Sequence, residues 1–132
     1  MQEELKKNRL IKKMRPNKLM GQHFLVSFSV LQKIIDAANI QPSDIIIEAG
    51  PGLGILTWEL ARHAKKVIAI EKDRALADLL EQQLHEKKIT NVEIVRGDIL
   101  RYEPPRTMRY KIVANLPYYL TSRFFKIFLE GR

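Results

Sequence analysis

Short runs of consecutive apolar residues alternate with longer segments of helical period along most of this chain. Four runs have the length and character of buried strands: "DIIIEAG", "VIAIE", "VEIVRGD" and "KIVANLP". The helical segments are "FSVLQKIIDAANI", "ILTWELARHAKK", "DRALADLLEQQLHEKK" and "TSRFFKIFLE". Alternation of this kind favours parallel strands joined by right-handed crossovers. The sequence therefore predicts an α/β fold, a parallel sheet with helices on both faces.

A glycine-rich turn, "EAGPGLG", follows the first predicted strand. Gly50, Gly52 and Gly54 permit a tight turn and a close approach of the backbone to a ligand. Ligands of open parallel sheets bind outside the carboxyl ends of the strands, where this turn is expected. Its spacing differs from the G-x-G-x-x-G of nicotinamide and flavin enzymes, so no pyrophosphate cradle is required. A cofactor with ribose and adenine but no phosphate, S-adenosylmethionine, suits such a turn.

Each of the next three predicted strands ends in a side chain that accepts hydrogen bonds. Glu71 lies 17 residues beyond Gly54, about where an acid binds the ribose hydroxyls in dinucleotide sites. Asp98 ends the third strand and is placed to bond an adenine edge, and Asn115 ends the fourth. Taken singly, Glu71 could be a helix-entry acid and Asp98 a turn residue. Their coincidence at successive strand ends favours a cofactor site.

The segment "NLPYY" after the fourth strand has the groups needed to alkylate an aromatic amine. The exocyclic amine of adenine is a poor nucleophile because its lone pair is delocalised into the ring. Asn115 can accept one amine hydrogen with its side-chain oxygen and Leu116 the other with its carbonyl, while Pro117 fixes the turn. Tyr118 offers a flat face on which a flipped base can stack. These residues predict a methyl-transfer site that works by positioning and hydrogen bonding.

The first 20 residues carry an excess of positive charge. Seven bases (Lys6, Lys7, Arg9, Lys12, Lys13, Arg15, Lys18) and two acids (Glu3, Glu4) give this segment a net charge of +5, of the total +8. A basic block attracts a nucleic-acid backbone through counterion release. We therefore predict an RNA-binding arm over residues 1–20, with Lys12, Lys13, Arg15 and Lys18 as its phosphate contacts. The alternative is a solvated arm that only keeps the protein soluble.

Composition removes several classes of function. The chain has no cysteine, which excludes disulfides, thiolate metal sites and a cysteine nucleophile. No apolar run approaches the roughly 20 residues needed to span a bilayer, and the N-terminus is too polar for a secretory signal. His63 and His85 have no partners at metal-ligand spacing. We expect a cytoplasmic protein without membrane or metal partners.

Five motifs together resemble one enzyme family. "GQHFL", "EAGPGLGILT", "EKD", "GDIL" and "NLPYY" span residues 21–122 and look like the ribosomal RNA adenine dimethyltransferases. The resemblance implies a Rossmann-like class I methyltransferase fold and transfer of methyl groups from S-adenosylmethionine to two adjacent adenosines of small-subunit rRNA. It places Gln22 and His23 near the methionine part of the cofactor, with Gly50 and Gly52 beneath it. It places Glu71 on the ribose, and Asp98 and Ile99 on the adenine. The implied cofactor site also includes Leu25, Lys72 and Asn115. Asn115, Leu116, Pro117 and Tyr118 would form the target-base site.

The resemblance also carries expectations about length and assembly. The family is roughly twice as long, with three further strands and a helical RNA-binding domain, so residues 21–132 are expected to be a partial methyltransferase domain, truncated after the fourth strand and its helix. The implied sheet order 3-2-1-4 leaves the fourth strand at an edge, where self-association is expected. Two alternatives stay open: a macrolide-resistance type 23S rRNA or DNA adenine methyltransferase, and a non-catalytic module that binds RNA or cofactor.

Overall fold

The computed structural model of the chain describes residues 28–114, except for the side chains of residues 28 and 30. In chain order it contains helix α1 (Phe28–Ala38), strand β1 (Ile45–Ala49), helix α2 (Ile55–His63), strand β2 (Lys66–Glu71), helix α3 (Arg74–Glu86), strand β3 (Val92–Arg96), a 3₁₀ helix (Ile99–Arg101) and strand β4 (Lys111–Ala114). The alternation of strand and helix predicted from the sequence is confirmed over this range.

The four strands form one sheet in the order β3-β2-β1-β4, and all three pairings are parallel. Within β1, Ile47 pairs with Ile68 of β2 on one side and with Ile112 of β4 on the other. This is the predicted order 3-2-1-4. The carboxyl ends of the strands therefore meet along one edge of the sheet, where the glycine turn and the predicted acids lie.

The two faces of the sheet are covered by different kinds of structure. Right-handed crossovers that run in one direction, from β1 to β2 to β3, place α2 and α3 on the same face. The apolar clusters show this face packed by all three helices, with Leu31, Leu60 and Leu80 among its buried residues. The chain then returns across the opposite face in residues 97–110, which cover it with Ile99, Leu100 and neighbouring side chains. The helix predicted after β4 lies outside the described residues.

The glycine turn sets the start of α2. Gly50, Gly52 and Gly54 have φ angles of 70°, 57° and 84°, in the left-handed region that favours glycine. Gly54 is the N-terminal cap of α2 and has no side chain with which to cap it. A Cβ atom added there would meet Cδ1 of the buried Leu80 well inside van der Waals contact. Both backbone angle and space therefore require glycine where β1 passes into α2.

We expect Gly54→Ala to lower the free energy of unfolding by about 2 to 4 kcal/mol, since it combines a left-handed alanine with overpacking of Leu80. Gly97→Ala is the matched control, because a Cβ atom there meets no atom within 4 Å and its φ is not left-handed. Chemical denaturation of both variants measures the difference. A Gly54→Ala protein as stable as the parent would show that the turn is not constrained as described.

Candidate functional site

A hydrogen bond joins the glycine turn after β1 to the acid at the end of β2. The amide of Gly52 donates to Oε1 of Glu71 at 3.1 Å, and the amide of Asp73 donates to Oε2 at 2.9 Å. The carbonyl of Glu71 accepts from the amide of Gly97, at 3.0 Å, so the third strand end is tied to the same residue. Glu71 thus connects three neighbouring strand ends.

The Glu71 side chain is buried, with 4% of the residue exposed. Burial raises the pKa of this carboxyl above its usual value, and the amides of Asp73, Gly52 and Lys72 partly oppose the rise by hydrogen bonding to the charged form. A carboxylate has about four acceptor positions. These three amides leave it capacity for a further donor such as a sugar hydroxyl.

A cavity of about 550 Å³ opens beside these strand ends. It lies between the ends of β2 and β3 and the segment that follows β3. Its lining residues are Ile70, Lys72, Val95, Gly97, Asp98, Arg101 and Tyr102. The apolar side chains of this lining suit a flat heterocycle, and the Asp98 carboxylate can accept from an amine donor. The cavity is large enough for part of a nucleoside cofactor.

The predicted cofactor residues fall into two adjoining groups. Lys72 and Asp98 line the cavity, whereas Gly52 and Glu71 form the hydrogen-bonded group beside it. Gly50 donates its amide to the carbonyl of Ile70, at 3.0 Å. The side chain of Ile99 is 6% exposed and packs into the apolar cluster of the second sheet face. Of Ile99, the main chain is thus the part left for a ligand contact.

Asp98 is held in place by its own backbone. Its Oδ1 accepts from the amide of Leu100 at 2.9 Å and so caps the 3₁₀ helix Ile99–Arg101. Asp98 is therefore a turn residue, as the alternative interpretation of the sequence proposed. It leaves Oδ2 as the oxygen available to a ligand amine in the cavity.

A second buried carboxyl, Glu48 of β1, was not predicted as a functional residue. It is 1% exposed, and its Oε1 accepts from the Thr57 hydroxyl of α2 at 2.5 Å. Burial raises the pKa of the Glu48 carboxyl to about 8; the hydrogen bond from Thr57 opposes this rise and the negative charge of Glu71 adds to it. The signal in the sequence was an acid inside the apolar run "DIIIEAG".

Other lining residues were also missed. Gly97 could have been found, since it precedes Asp98 in "GD". Arg101 and Tyr102 carry no local signal, because only the path of the segment after β3 brings them to the cavity. In the sequence, Val95 cannot be distinguished from any other apolar residue of a strand.

Several predicted site residues lie outside residues 28–114. They are Gln22, His23 and Leu25, the target-base residues Asn115, Leu116, Pro117 and Tyr118, and the RNA-binding Lys12, Lys13, Arg15 and Lys18. Within the described range, no three acidic or histidine side chains group as metal ligands would. None of the helices described has the length and apolar character to cross a bilayer.

The fold and these strand ends define a class of protein. A parallel sheet of order 3-2-1-4, with a glycine turn after β1 and acids ending β2 and following β3, is the architecture of the class I S-adenosylmethionine-dependent methyltransferases. The cofactor implied by this class is the one predicted from the glycine spacing.

Comparison with known proteins then gives the family. The family model described as ribosomal RNA adenine dimethylase matches residues 13–132. The chain belongs to this family, as its motifs predicted. A curated relative, ribosomal RNA small subunit methyltransferase A of Dehalococcoides mccartyi, is 45% identical over 123 residues, which cover 90% of this chain and 42% of the relative. The corresponding probable enzyme of Pyrococcus abyssi is 44% identical over 83% of this chain and 39% of its own.

Solved structures agree with this family. The 23S rRNA methyltransferase ErmE superposes with a TM-score of 0.76 at 36% identity, covering 83% of this chain and 43% of that protein. A dimethyladenosine transferase from Plasmodium falciparum gives 0.74 at 33% identity, covering 83% and 39%. The chain spans about two fifths of the length of the relatives that it matches.

The buried Glu48 makes the stability of the fold depend on pH. The pKa of its carboxyl is about 8 in the folded chain and about 4.5 when exposed, so the folded state holds a proton that the unfolded state loses between these values. The free energy of unfolding therefore falls as pH rises through this window, by up to about 1.4 kcal/mol per pH unit. Glu48→Gln has no such proton, so its stability relative to the parent should increase from pH 5 to 8 and then level off.

Denaturation of both proteins at several pH values measures this difference. The titration of surface groups is common to the two proteins and cancels. Parallel stability curves would show that Glu48 is ionised in the fold throughout.

Proposed function

We propose that this chain binds S-adenosylmethionine and forms the cofactor-binding part of an enzyme that dimethylates adjacent adenosines in small-subunit rRNA. The observation that supports this most directly is the Glu71 carboxyl, held by the amides of Gly52 and Asp73 beside a cavity that contains Asp98. Family membership and the names of the curated relatives favour the same reaction. Because the chain covers about two fifths of those relatives, activity on RNA is proposed for a protein of their full length.

The described residues suit a nucleoside that donates hydrogen bonds. Glu71 retains acceptor capacity for a ribose hydroxyl, and Asp98 can accept from the adenine amine at the cavity wall. The apolar side chains of Ile70 and Val95 can contact the base faces. When bound, S-adenosylmethionine supplies a methyl group made electrophilic by its sulfonium. The role of these residues is to bind and orient it.

The target base is assigned by prediction to residues beyond β4. Asn115 and Leu116 would accept the two hydrogens of the adenine amine, Pro117 would fix their turn and Tyr118 would stack on the base. Because β4 lies beside β1 with parallel register to Ala114, the chain leaves the sheet at the same edge as the glycine turn. This placement supports a target site next to the cofactor site.

A second candidate substrate is large-subunit rRNA. The similarity to ErmE, whose description names 23S rRNA, favours it. The curated relatives named for the small subunit favour the first proposal at higher identity. Methyl transfer from labelled cofactor to immature small subunits, to 23S rRNA and to duplex DNA separates these substrates. No transfer to any of them by a protein of the relatives' full length, with cofactor still bound, would favour the non-catalytic module.

The remaining partner and location predictions are also proposals. We infer that residues 1–20 hold RNA and that the protein works in the cytoplasm, where ribosomes mature. In the described sheet, β4 pairs with β1 on one side only, so self-association along its other side stays a prediction that sedimentation can test.

The cofactor proposal predicts that Glu71→Gln weakens binding of S-adenosylmethionine by about 1.5 to 3 kcal/mol, the range for a hydrogen bond to a charged group. The substitution keeps the shape of the side chain but replaces one acceptor oxygen by an amide NH2 group, which cannot accept from a backbone amide or a sugar hydroxyl. Isothermal titration calorimetry measures the affinity. Glu86→Gln, at the exposed end of α3, is the control and should bind as the parent does.

Equal affinity of Glu71→Gln and the parent would remove Glu71 from the site. A variant that binds weakly because it has unfolded is recognised by its circular dichroism, and Glu71→Asp then provides a milder change that keeps the charge. Loss of binding in Glu86→Gln as well would mean that net charge, and not the strand-end carboxyl, governs affinity.

The proposed arm predicts a salt effect. Replacing Lys12, Lys13 and Arg15 with Ala should weaken RNA binding and reduce its dependence on salt, by roughly 0.7 to 0.9 units of log-log slope for each phosphate that the arm no longer neutralises. Filter binding at several salt concentrations measures the slope. Cofactor affinity is the internal control and should not change. An unaltered slope would leave the arm with a solubility role.

A further inference from the structure

The turn that carries the proposed cofactor site lies between the two members of a buried pair. Glu48 precedes the turn at the end of β1, and Thr57 follows it in the first part of α2. Both residues are almost wholly inaccessible, at 1% and 0% exposed, and their side chains bond to each other. A buried hydrogen bond between these side chains therefore joins the residues on either side of the glycine turn.

The surroundings of Glu48 supply no positive charge within residues 28–114. In register with it stand Ala69 of β2 and Val113 of β4, which are apolar. The charged group that acts on Glu48 is the Glu71 carboxyl. Glu71 lies on the same face of the sheet, two residues beyond Ala69 in β2.

The cations of the neighbouring elements are engaged elsewhere. On β4, Lys111 bonds Asp44 and the carbonyls of Ala38 and Asn39 at the opposite end of the sheet. On α2, Arg62 pairs with Glu59 near the surface. On β2, Lys66 pairs with Glu93. Among residues 28–114, the Glu48 carboxyl therefore has one hydroxyl partner, Thr57, and one neighbouring acid, Glu71.

Such a carboxyl is neutral at neutral pH and is sensitive to a new positive charge. The raised pKa of Glu48 agrees with this environment, since burial disfavours its charged form. A cation placed over the turn would offset that penalty. In the low-dielectric surroundings of the pair, this effect is stronger than it would be in water.

We propose that Glu48 is a proton-linked positioning residue, which holds the turn as a neutral acid and releases its proton when the cationic methyl donor binds above it. This inference rests on the proposed function. The O–H bond of the carboxyl breaks, the proton passes to the solvent, and the resulting carboxylate keeps its hydrogen bond from Thr57. Glu48 does not need to touch the cofactor, because its charge acts across the turn.

The consequence is discrimination between substrate and product. Methyl transfer turns the sulfonium of S-adenosylmethionine into the neutral thioether of S-adenosylhomocysteine. The product then lacks the charge that favours ionised Glu48, so the carboxyl takes a proton back. The binding preference for methyl donor over product should rise with pH below about 8, by at most about tenfold per pH unit, the limit for release of one proton.

The test is calorimetric titration of the chain with S-adenosylmethionine and with S-adenosylhomocysteine, each in two buffers of different ionisation enthalpy, at pH 6, 7 and 8. The dependence of the heat on buffer gives the protons released. Glu48→Gln is the matched variant, since it preserves the shape of a neutral carboxyl and still accepts from Thr57. Titration of the ligands' own amino groups is common to both proteins and cancels in the comparison.

We expect the parent to release more protons than Glu48→Gln on binding the methyl donor, and the same number on binding the product. The donor preference of the parent should rise with pH relative to that of the variant. Equal proton release by the two proteins with the methyl donor, at full binding, would overturn the role of Glu48 while leaving the cofactor site intact. Failure of both ligands to bind the parent would overturn the cofactor proposal and this inference together.

A second measurement does not need the Glu48→Gln variant, and so it tests the proposal even if that variant folds poorly. The carbon-13 shift of the Glu48 carboxyl, followed by nuclear magnetic resonance in the parent alone, reports its protonation directly. It should change from the neutral to the ionised value when the methyl donor is added at pH 7, and stay near the neutral value with the product. A carboxyl that is ionised before any ligand is added would also contradict the proposal.

Discussion

The hydrogen bond from the Gly52 amide to the Glu71 carboxyl is the interaction on which this site depends. It joins the turn that leaves β1 to the end of β2, and the carbonyl of Glu71 extends the connection to Gly97 after β3. A Cβ atom at Gly54 would meet Cδ1 of Leu80, so the turn that carries Gly52 depends on glycine at that position. Three strand ends are thereby held at one edge of the sheet, beside the cavity.

Two acids on the same face of the sheet differ in their surroundings and therefore in their chemistry. Glu71 accepts from backbone amides and has spare acceptor positions, which suit the hydroxyls of a sugar. Among the residues that the structure describes, Glu48 has one hydroxyl partner and is less exposed than Glu71, which suits a neutral acid that responds to charge. Neighbouring carboxyls with different environments are a common way to divide binding from proton release.

The sequence predicted most of the fold because strand and helix periods are local properties. Strand order followed from the family resemblance, and the positions of Glu71 and Asp98 followed from the rule that ligands bind at strand ends. Glu48 was missed because an acid within an apolar run has no local feature that distinguishes a structural role from a functional one. Arg101 and Tyr102 were missed because their place at the cavity depends on how residues 97–110 cross the sheet, a long-range property.

The most direct test of this account is to follow the backbone amides by nuclear magnetic resonance while S-adenosylmethionine is added to the labelled chain. Within residues 28–114, the largest shifts should fall at the carboxyl ends of the strands, at Gly50, Gly52, Lys72, Gly97 and Asp98. Shifts centred instead on the opposite edge of the sheet, around Lys66, Asn91 and Lys111, would contradict it.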